Sequence, residues 1–125
     1  MLSVDLPPEP SSATRARRLA REQLEVLYPS DTLDTDTFDT IALLVTELVT
    51  NAILHARTPL QLTLESRPGS VRICVEDESN EQPLVRRYES DAVTGRGLAL
   101  VEQLASSWGV DATPSGKVVW CEVPV

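Results

Sequence analysis

The fold is decided by residues 37–55, which read TFDTIALLVTELVTNAILH. The apolar residues of this stretch recur at steps of three and four, as on one face of an α-helix: Phe38, Ile41, Leu44, Val45, Leu48, Ala52 and Ile53. Because it is the most apolar stretch of the chain, we predict a core helix from about Thr37 to His55. Its polar residues Glu47, Asn51 and His55 are spaced i, i+4, i+8 and therefore project from one side of that helix.

The residues before this helix predict a strand and an amphipathic helix. Apolar and polar residues alternate over 2–6, which indicates a strand within an N-terminal segment of residues 1–10. Pro10 then begins a helical pattern that ends near Tyr28, where Pro29 prevents continuation. The first helix is rich in alanine on its apolar face.

The residues after the core helix predict a hairpin, a long loop, a third helix and a last hairpin. Residues 60–64 and 71–75 alternate around a turn at 67–70, whereas a polar segment of about 78–94 lacks any period and is typical of a lid. We expect a third helix from Thr94, with Trp108 on its apolar face and Gly109 as its terminator, and then strands at 110–112 and 118–123. The fold class is therefore α+β, an α/β sandwich with a mixed, mostly antiparallel sheet and helices on one face.

Composition limits the classes of function. The chain has 125 residues, and this length predicts a single domain over 1–125. It carries 11 Lys+Arg and 19 Asp+Glu, a net charge of -8, so we expect no direct contact with nucleic acid. Neither a leader nor a membrane span is indicated, which predicts a cytoplasmic protein. Cys74 and Cys121 are interpreted as free thiols, with a single disulfide as the alternative.

Three aromatic residues and the only lysine also carry expectations. Phe38, Trp108 and Trp120 are interpreted as core residues, and Lys117 is expected in water at a hairpin end.

Glu47 and Asn51 are the first candidates for chemistry. They form either the solvated stripe of an amphipathic helix or a small metal and water site. An Asn side-chain oxygen is a ligand that Mg²⁺ accepts, and a Glu one turn earlier can take a proton from an incoming hydroxyl group.

Two further features are candidates for binding. Asp77 ends a predicted strand, where a carboxylate either caps a turn or pairs with a donor such as an adenine amine. The run Thr94-Gly95-Arg96-Gly97 opens a helix, where free backbone amides, the helix dipole and a guanidinium group suit a phosphate. A tight loop before a helix is the other interpretation of that run.

Together these features resemble a known superfamily. The run from Glu47 to His55, the strand ending at Asp77, and the run from Gly95 to Leu98 resemble the N box, G1 box and G2 box of the GHKL ATPase/kinase superfamily. Within it, the chain looks most like small stand-alone anti-sigma-factor serine/threonine kinases of actinomycete type. The resemblance covers about residues 11–123 and implies a Bergerat-type ATP-binding fold.

The resemblance also implies roles for individual residues. Asn51 would bind Mg²⁺ between the phosphates of ATP, Glu47 would be the general base, and Asp77 would accept a hydrogen bond from the adenine amine. The residues implied to line the phosphate site are Thr94, Gly95, Arg96, Gly97 and Leu98. A phosphate contact by Arg86 and Arg87 in the lid is left open.

The resemblance implies a Mg-ATP-dependent serine/threonine kinase that binds a sigma factor and phosphorylates an anti-sigma-factor antagonist. One departure motivates an alternative: the G1 box of the superfamily has glycines after the aspartate, whereas here Asp77 is followed by Glu78-Ser79-Asn80-Glu81. The alternative is a regulatory module that binds nucleotide without catalysis or sequesters a partner. The first helix and the tail strand offer a surface for a homodimer.

Overall fold

The chain folds into five strands and three helices within residues 1–29, 32–80 and 95–125, which the computed structural model describes, with backbone only at 95–98. In chain order the elements are β1 (Leu2–Leu6), α1 (Pro10–Leu27), α2 (Thr35–Asn51), β2 (Leu60–Arg67), β3 (Ser70–Asp77), α3 (Gly95–Leu104), β4 (Ser107–Thr113) and β5 (Gly116–Pro124). The predicted α+β class is confirmed.

The strands form one sheet in the order β1-β2-β3-β5-β4, and each neighbouring pair is antiparallel. The register places Leu62, Val75 and Val119 side by side on the face that packs against the helices. Since side chains alternate along a strand, their neighbours point to the opposite, open face. The sheet therefore supplies one layer of a two-layer sandwich.

Helix α2 lies at the centre of the second layer. It packs against α1 on one side and α3 on the other, and it also contacts β3 and β5. Its start is capped by Asp34, whose Oδ1 accepts a hydrogen bond of 2.8 Å from the backbone N–H of Thr37. By length and mean hydropathy alone, Thr35–Ala56 could cross a membrane. Within the described residues, however, Ile41, Leu44 and Val45 are wholly buried in the core, so the same apolarity serves packing.

The end of this helix departs from the predicted regular helix to His55. After Asn51 the chain forms a π-helical turn (Ala52–Ala56), which ends at Arg57 in the left-handed conformation with φ of 57°. The backbone N–H of Arg57 donates a 3.2 Å hydrogen bond to the carbonyl oxygen of Ala52. The left-handed residue Arg57 thus ends the helical segment, and β2 begins at Leu60.

The third helix is shorter than predicted. It ends at Leu104 rather than near Gly109, and Trp108 and Gly109 belong to β4 instead. Gly109 is required there, because a Cβ at this position would approach the Trp120 ring to 2.9 Å. Trp108 still packs against the core, as expected, but from a strand.

The prediction that Trp120 is a core residue is wrong. It lies on the open face, where the Arg72 guanidinium stacks 4.1 Å from the ring centroid and Asp111 Oδ2 accepts a 3.1 Å hydrogen bond from Trp120 Nε1. Arg72 Nη1 also donates to Glu122 Oε2 at 2.7 Å. These polar partners explain how a large aromatic side chain is accommodated on the open face.

Candidate functional site

The candidate site is formed where α2, β3 and α3 meet. Helix α2 carries Glu47 and Asn51 and packs against α3, while the π-helical turn that follows Asn51 contacts β3. Both side chains are half-buried. The structure therefore brings together the three elements on which the candidate residues were predicted.

Asn51 has an unsatisfied side-chain amide. Its Nδ2 atom is buried and has no hydrogen-bond partner among the described residues. A buried polar group without a partner is costly, and the nitrogen and oxygen of an amide exchange places on a 180° flip. Among the described residues, no hydrogen bond therefore holds this end of the Asn51 amide, which leaves it available to a ligand.

The donor set at α2 suits Mg²⁺ better than a metal held by the protein alone. Within the described ranges no group of three or more His, Cys, Asp or Glu residues could hold a metal ion. Mg²⁺ is commonly held by one or two protein oxygens together with phosphate and water oxygens. The Asn51 amide and the Glu47 carboxylate, one turn apart, fit that arrangement.

Asp77 is the last residue of β3 and is only 3% exposed. Its Oδ1 atom accepts a 3.0 Å hydrogen bond from Lys117 Nζ and a 2.9 Å hydrogen bond from the backbone N–H of Ser79. The prediction that Lys117 lies in water is therefore wrong, since the residue is 4% exposed and forms a buried ion pair. The pair supplies the partner that a buried carboxylate needs.

The chain directly after Asp77 turns without glycine. The contact from Ser79 to Asp77 Oδ1 closes an Asx turn, and the backbone N–H of Glu78 donates to Thr58 Oγ1 at 2.9 Å. The neighbouring turn between β4 and β5 packs tightly against this segment: a Cβ on Gly116 would overlap the carbonyl oxygen of Asp77. Side-chain contacts thus shape a turn that the superfamily builds with glycines.

A depression of about 320 Å³ lies at this end of the sheet. Asp77, Leu60 and Ser115 line it, and Asp5, Glu76 and Glu78 contribute three further carboxylates. Those carboxylates repel phosphate groups. A nucleotide whose base lay at Asp77 would therefore direct its phosphates away from this rim, toward the helical layer.

The predicted phosphate-binding run is described only in part. Helix α3 begins at Gly95, so Gly95, Arg96 and Gly97 form its first turn, where backbone N–H groups have no partner within the helix. Thr94, and the lid residues Arg86 and Arg87, lie outside the described residues, as do the side chains of Arg96 and Leu98.

Sequence reasoning missed Lys117, although a signal for it exists. Lys117 has the same parity on β5 as Val119, Cys121 and Val123, all of which face the core. Strand alternation therefore points Lys117 inward. Its partner could not be found in this way, because that depends on the register between β3 and β5.

These features define a class of protein: a kinase-like ATPase domain in which one face of an antiparallel sheet is covered by helices. A model of the histidine kinase-like ATPase domain matches residues 6–122. The chain belongs to this family, which is the GHKL superfamily that the sequence motifs resemble.

Solved structures have the same fold. The RsbU and RsbW domains of Rv1364c from Mycobacterium tuberculosis are 18% identical, with a TM-score of 0.70 over 99% of this chain and 32% of that one. The blue-light activated histidine kinase of Erythrobacter litoralis EL346 is 23% identical, with a TM-score of 0.59 over 86% of this chain and 40% of that one. Its separate histidine kinase domain is 24% identical, with a TM-score of 0.58 over 95% of this chain and 61% of that one.

The chain thus spans between about a third and three fifths of the length of these relatives. At such identities the likeness concerns the fold. No curated protein sequence matches the chain significantly.

Proposed function

We propose that this protein is a Mg-ATP-binding serine/threonine kinase of anti-sigma-factor type, which phosphorylates an antagonist protein in a partner-switching circuit. The observation that carries the proposal is the pair formed by Glu47 and Asn51, one turn apart on the half-buried side of a helix that packs against both α3 and the sheet. Family membership and the likeness to an RsbW domain support it.

Asn51 and the start of α3 hold the nucleotide phosphates in this proposal. The unsatisfied Asn51 amide would hold Mg²⁺ through its oxygen, and the ion would supply charge neutralisation at the phosphates. The first backbone amides of α3, with Gly95 and Gly97 allowing close approach, bind phosphate oxygens. The resemblance also assigns Arg96, Thr94 and Leu98 to this site, where a guanidinium group would add a charge-assisted hydrogen bond to a phosphate.

Glu47 is the general base of the proposed reaction. Its carboxylate accepts the proton of a serine or threonine hydroxyl on the partner protein as that oxygen attacks the terminal phosphate. Transfer of a phosphoryl group depends mainly on positioning and on charge stabilisation, which a rigid helix provides.

The test is phosphate transfer from Mg-ATP to candidate antagonist proteins. We expect transfer by the wild type and a decrease of at least about 100-fold for Glu47→Gln, because a general base contributes roughly 10²–10⁴-fold. Glu25→Gln, which alters an exposed glutamate on α1, is the matched control and should be fully active. Absence of transfer by the wild type to every antagonist would contradict the kinase proposal.

A second candidate function is a non-catalytic nucleotide-binding or partner-sequestering regulator. It is favoured by the state of Asp77, whose Oδ1 atom is already occupied by Lys117 and Ser79, in a turn without glycines. Calorimetry with ATP and ADP, each with Mg²⁺, separates the two candidates. Nucleotide binding without turnover would support the second one, and absence of binding would leave contacts with protein partners as the function.

The proposed partners are a sigma factor and an anti-sigma-factor antagonist, and the proposed location is the cytoplasm. Helix α1 exposes Arg15, Arg17 and Arg18 on the surface of an otherwise acidic protein, which offers acidic partner segments a local site. We also propose that residues 1–125 act as a single domain and that α1 and the last strand contribute to a homodimer. Gel filtration with light scattering measures the mass that decides between one copy and two.

A further inference from the structure

Lys117 is the only lysine of the chain, and the structure buries it at the candidate nucleotide site. It lies directly opposite Asp77 in the register of β3 and β5, and its side chain is 5% exposed. An ammonium group is rarely buried unless it is paired. Among the described residues, Asp77 is the one buried carboxylate, and Lys117 lies beside it. A buried lysine does not contribute to solubility, so we expect another role for it.

The hydrogen bonds of the pair are unevenly distributed. Within the described residues both contacts to the Asp77 carboxylate fall on Oδ1, one from Lys117 Nζ at 3.0 Å and one from the Ser79 N–H at 2.9 Å. Lys117 Nζ carries three protons and donates one of them to Asp77. Among the described residues, the pair therefore combines an available acceptor, Asp77 Oδ2, with N–H donors on Lys117 that have no partner.

The position of the pair is rigidly set. Gly116 precedes Lys117 and lies against the end of β3, where a Cβ would overlap the Asp77 carbonyl oxygen and come within 2.7 Å of Glu78 Cα. The close approach of the two backbones holds Lys117 Nζ next to the carboxylate. A recognition site needs groups that are fixed in this manner before the ligand arrives.

We propose that Lys117 reads the nucleotide base together with Asp77. Asp77 Oδ2 accepts a hydrogen bond from the exocyclic amine of the base, and Lys117 Nζ donates to the unprotonated ring nitrogen beside it. Adenine presents this amine and nitrogen side by side, whereas guanine presents an oxygen and an N–H at the equivalent positions. The inference rests on the proposed function, because it requires that a nucleotide binds at Asp77.

The ligand that tests the inference is a 1-deaza analogue of ATP, in which the ring nitrogen is replaced by C–H. Calorimetry with the wild-type protein should give an affinity about 10-fold or more lower for Mg-1-deaza-ATP than for Mg-ATP, the loss typical of a hydrogen bond to a charged group. GTP should bind more weakly than ATP for the same reason. This measurement requires no protein variant.

Protein variants then assign the effect to Lys117. Lys117→Met should bind Mg-ATP and Mg-1-deaza-ATP with equal affinity, whereas Arg67→Met, which removes an exposed cation from β2, should retain the difference. If the role of Lys117 is purely structural, Lys117→Met should lower the affinities for both nucleotides by the same factor and leave their ratio unchanged. If Lys117→Met does not fold, as judged by circular dichroism, the wild-type comparison decides alone.

The outcomes separate this inference from the proposed function. Equal affinities of the wild type for Mg-ATP and its 1-deaza analogue would overturn the role of Lys117 and leave nucleotide binding intact. The role of Lys117 would also be overturned if a folded Lys117→Met protein kept the wild-type ratio of affinities for Mg-ATP and Mg-1-deaza-ATP. Absence of ATP binding by the wild type would overturn both.

Discussion

Individual residues divide into those whose role follows from local pattern and those whose role depends on a distant partner. Asp77 could be placed at a strand end from the alternation before it, and Glu47 and Asn51 could be placed on one side of a helix. The ion pair of Lys117 with Asp77 joins residues 40 positions apart, and Trp120 meets Arg72 only through the register of β3 and β5. No local pattern contains that register, so the partners of Lys117 and Trp120 could not be predicted, although alternation along β5 alone places these two side chains on opposite faces of the sheet.

The two cysteines can each be assigned to one face of the sheet. Cys74 lies on the open face and is half-buried, whereas Cys121 lies on the helix-facing side and is fully buried. They project from opposite faces of the sheet, so the structure favours the free thiols that were predicted over a disulfide. Burial also raises the pKa of the Cys121 thiol to about 12.

We predict that a disulfide-exchange reagent at pH 8 modifies one thiol per native chain and two per unfolded chain. The thiolate is the reactive form, and a pKa of about 12 leaves Cys121 protonated at that pH. The measurement is the absorbance of the released reagent group before and after addition of denaturant. Cys74→Ser should show no fast reaction in the native state, and two fast-reacting thiols in the native wild type would contradict the assignment.

At the scale of helices and strands, the sequence predicted the elements themselves better than the residues at which they end. Trp108 and Gly109 fit both the end of a helix and a strand, and the edge pairing of β4 with β5 decides for the strand. The π-helical turn after Asn51 was not predictable, since its residues are equally suited to a regular helix. The turn contacts β3 and is followed by β2 from Leu60, and neither neighbour can be identified from the sequence of the turn itself.

The end of that turn gives a prediction on stability. Arg57 is exposed and adopts the left-handed conformation that glycine tolerates best, while its Nε makes only a long 3.4 Å contact with the Leu54 carbonyl oxygen. Arg57→Gly should therefore raise the free energy of unfolding by about 0.5–1 kcal/mol. Urea denaturation measures the change.

The matched control is Arg15→Gly, the same substitution at an exposed position inside α1. In a helix interior glycine should lower the free energy of unfolding by about 0.5–1 kcal/mol. We therefore expect the free energy of unfolding to increase in Arg57→Gly and to decrease in Arg15→Gly. A loss of stability in Arg57→Gly would show that the Arg57 side chain contributes more than its backbone conformation costs.

At the scale of the whole molecule, the fold class followed from the sequence because the strand alternation, the helical periodicity and the turn residues all indicate the same sandwich. The net charge of -8 disfavours sequence-independent binding to the phosphate backbone of nucleic acids. Three of the carboxylates, those of Asp5, Glu76 and Glu78, lie around the depression. The proposed phosphate binding is therefore assigned to the helical side, near Asn51 and α3.

The central claim is that this helical side binds Mg-ATP through Asn51. Calorimetry should show saturable Mg-ATP binding by the wild type and an affinity at least about 10-fold lower for Asn51→Ala, since a ligand contact to a charged group is lost. Gln103→Ala, which removes an exposed amide from α3, should bind as the wild type does. Equal affinities of the wild type and Asn51→Ala, or no binding by either, would contradict the account.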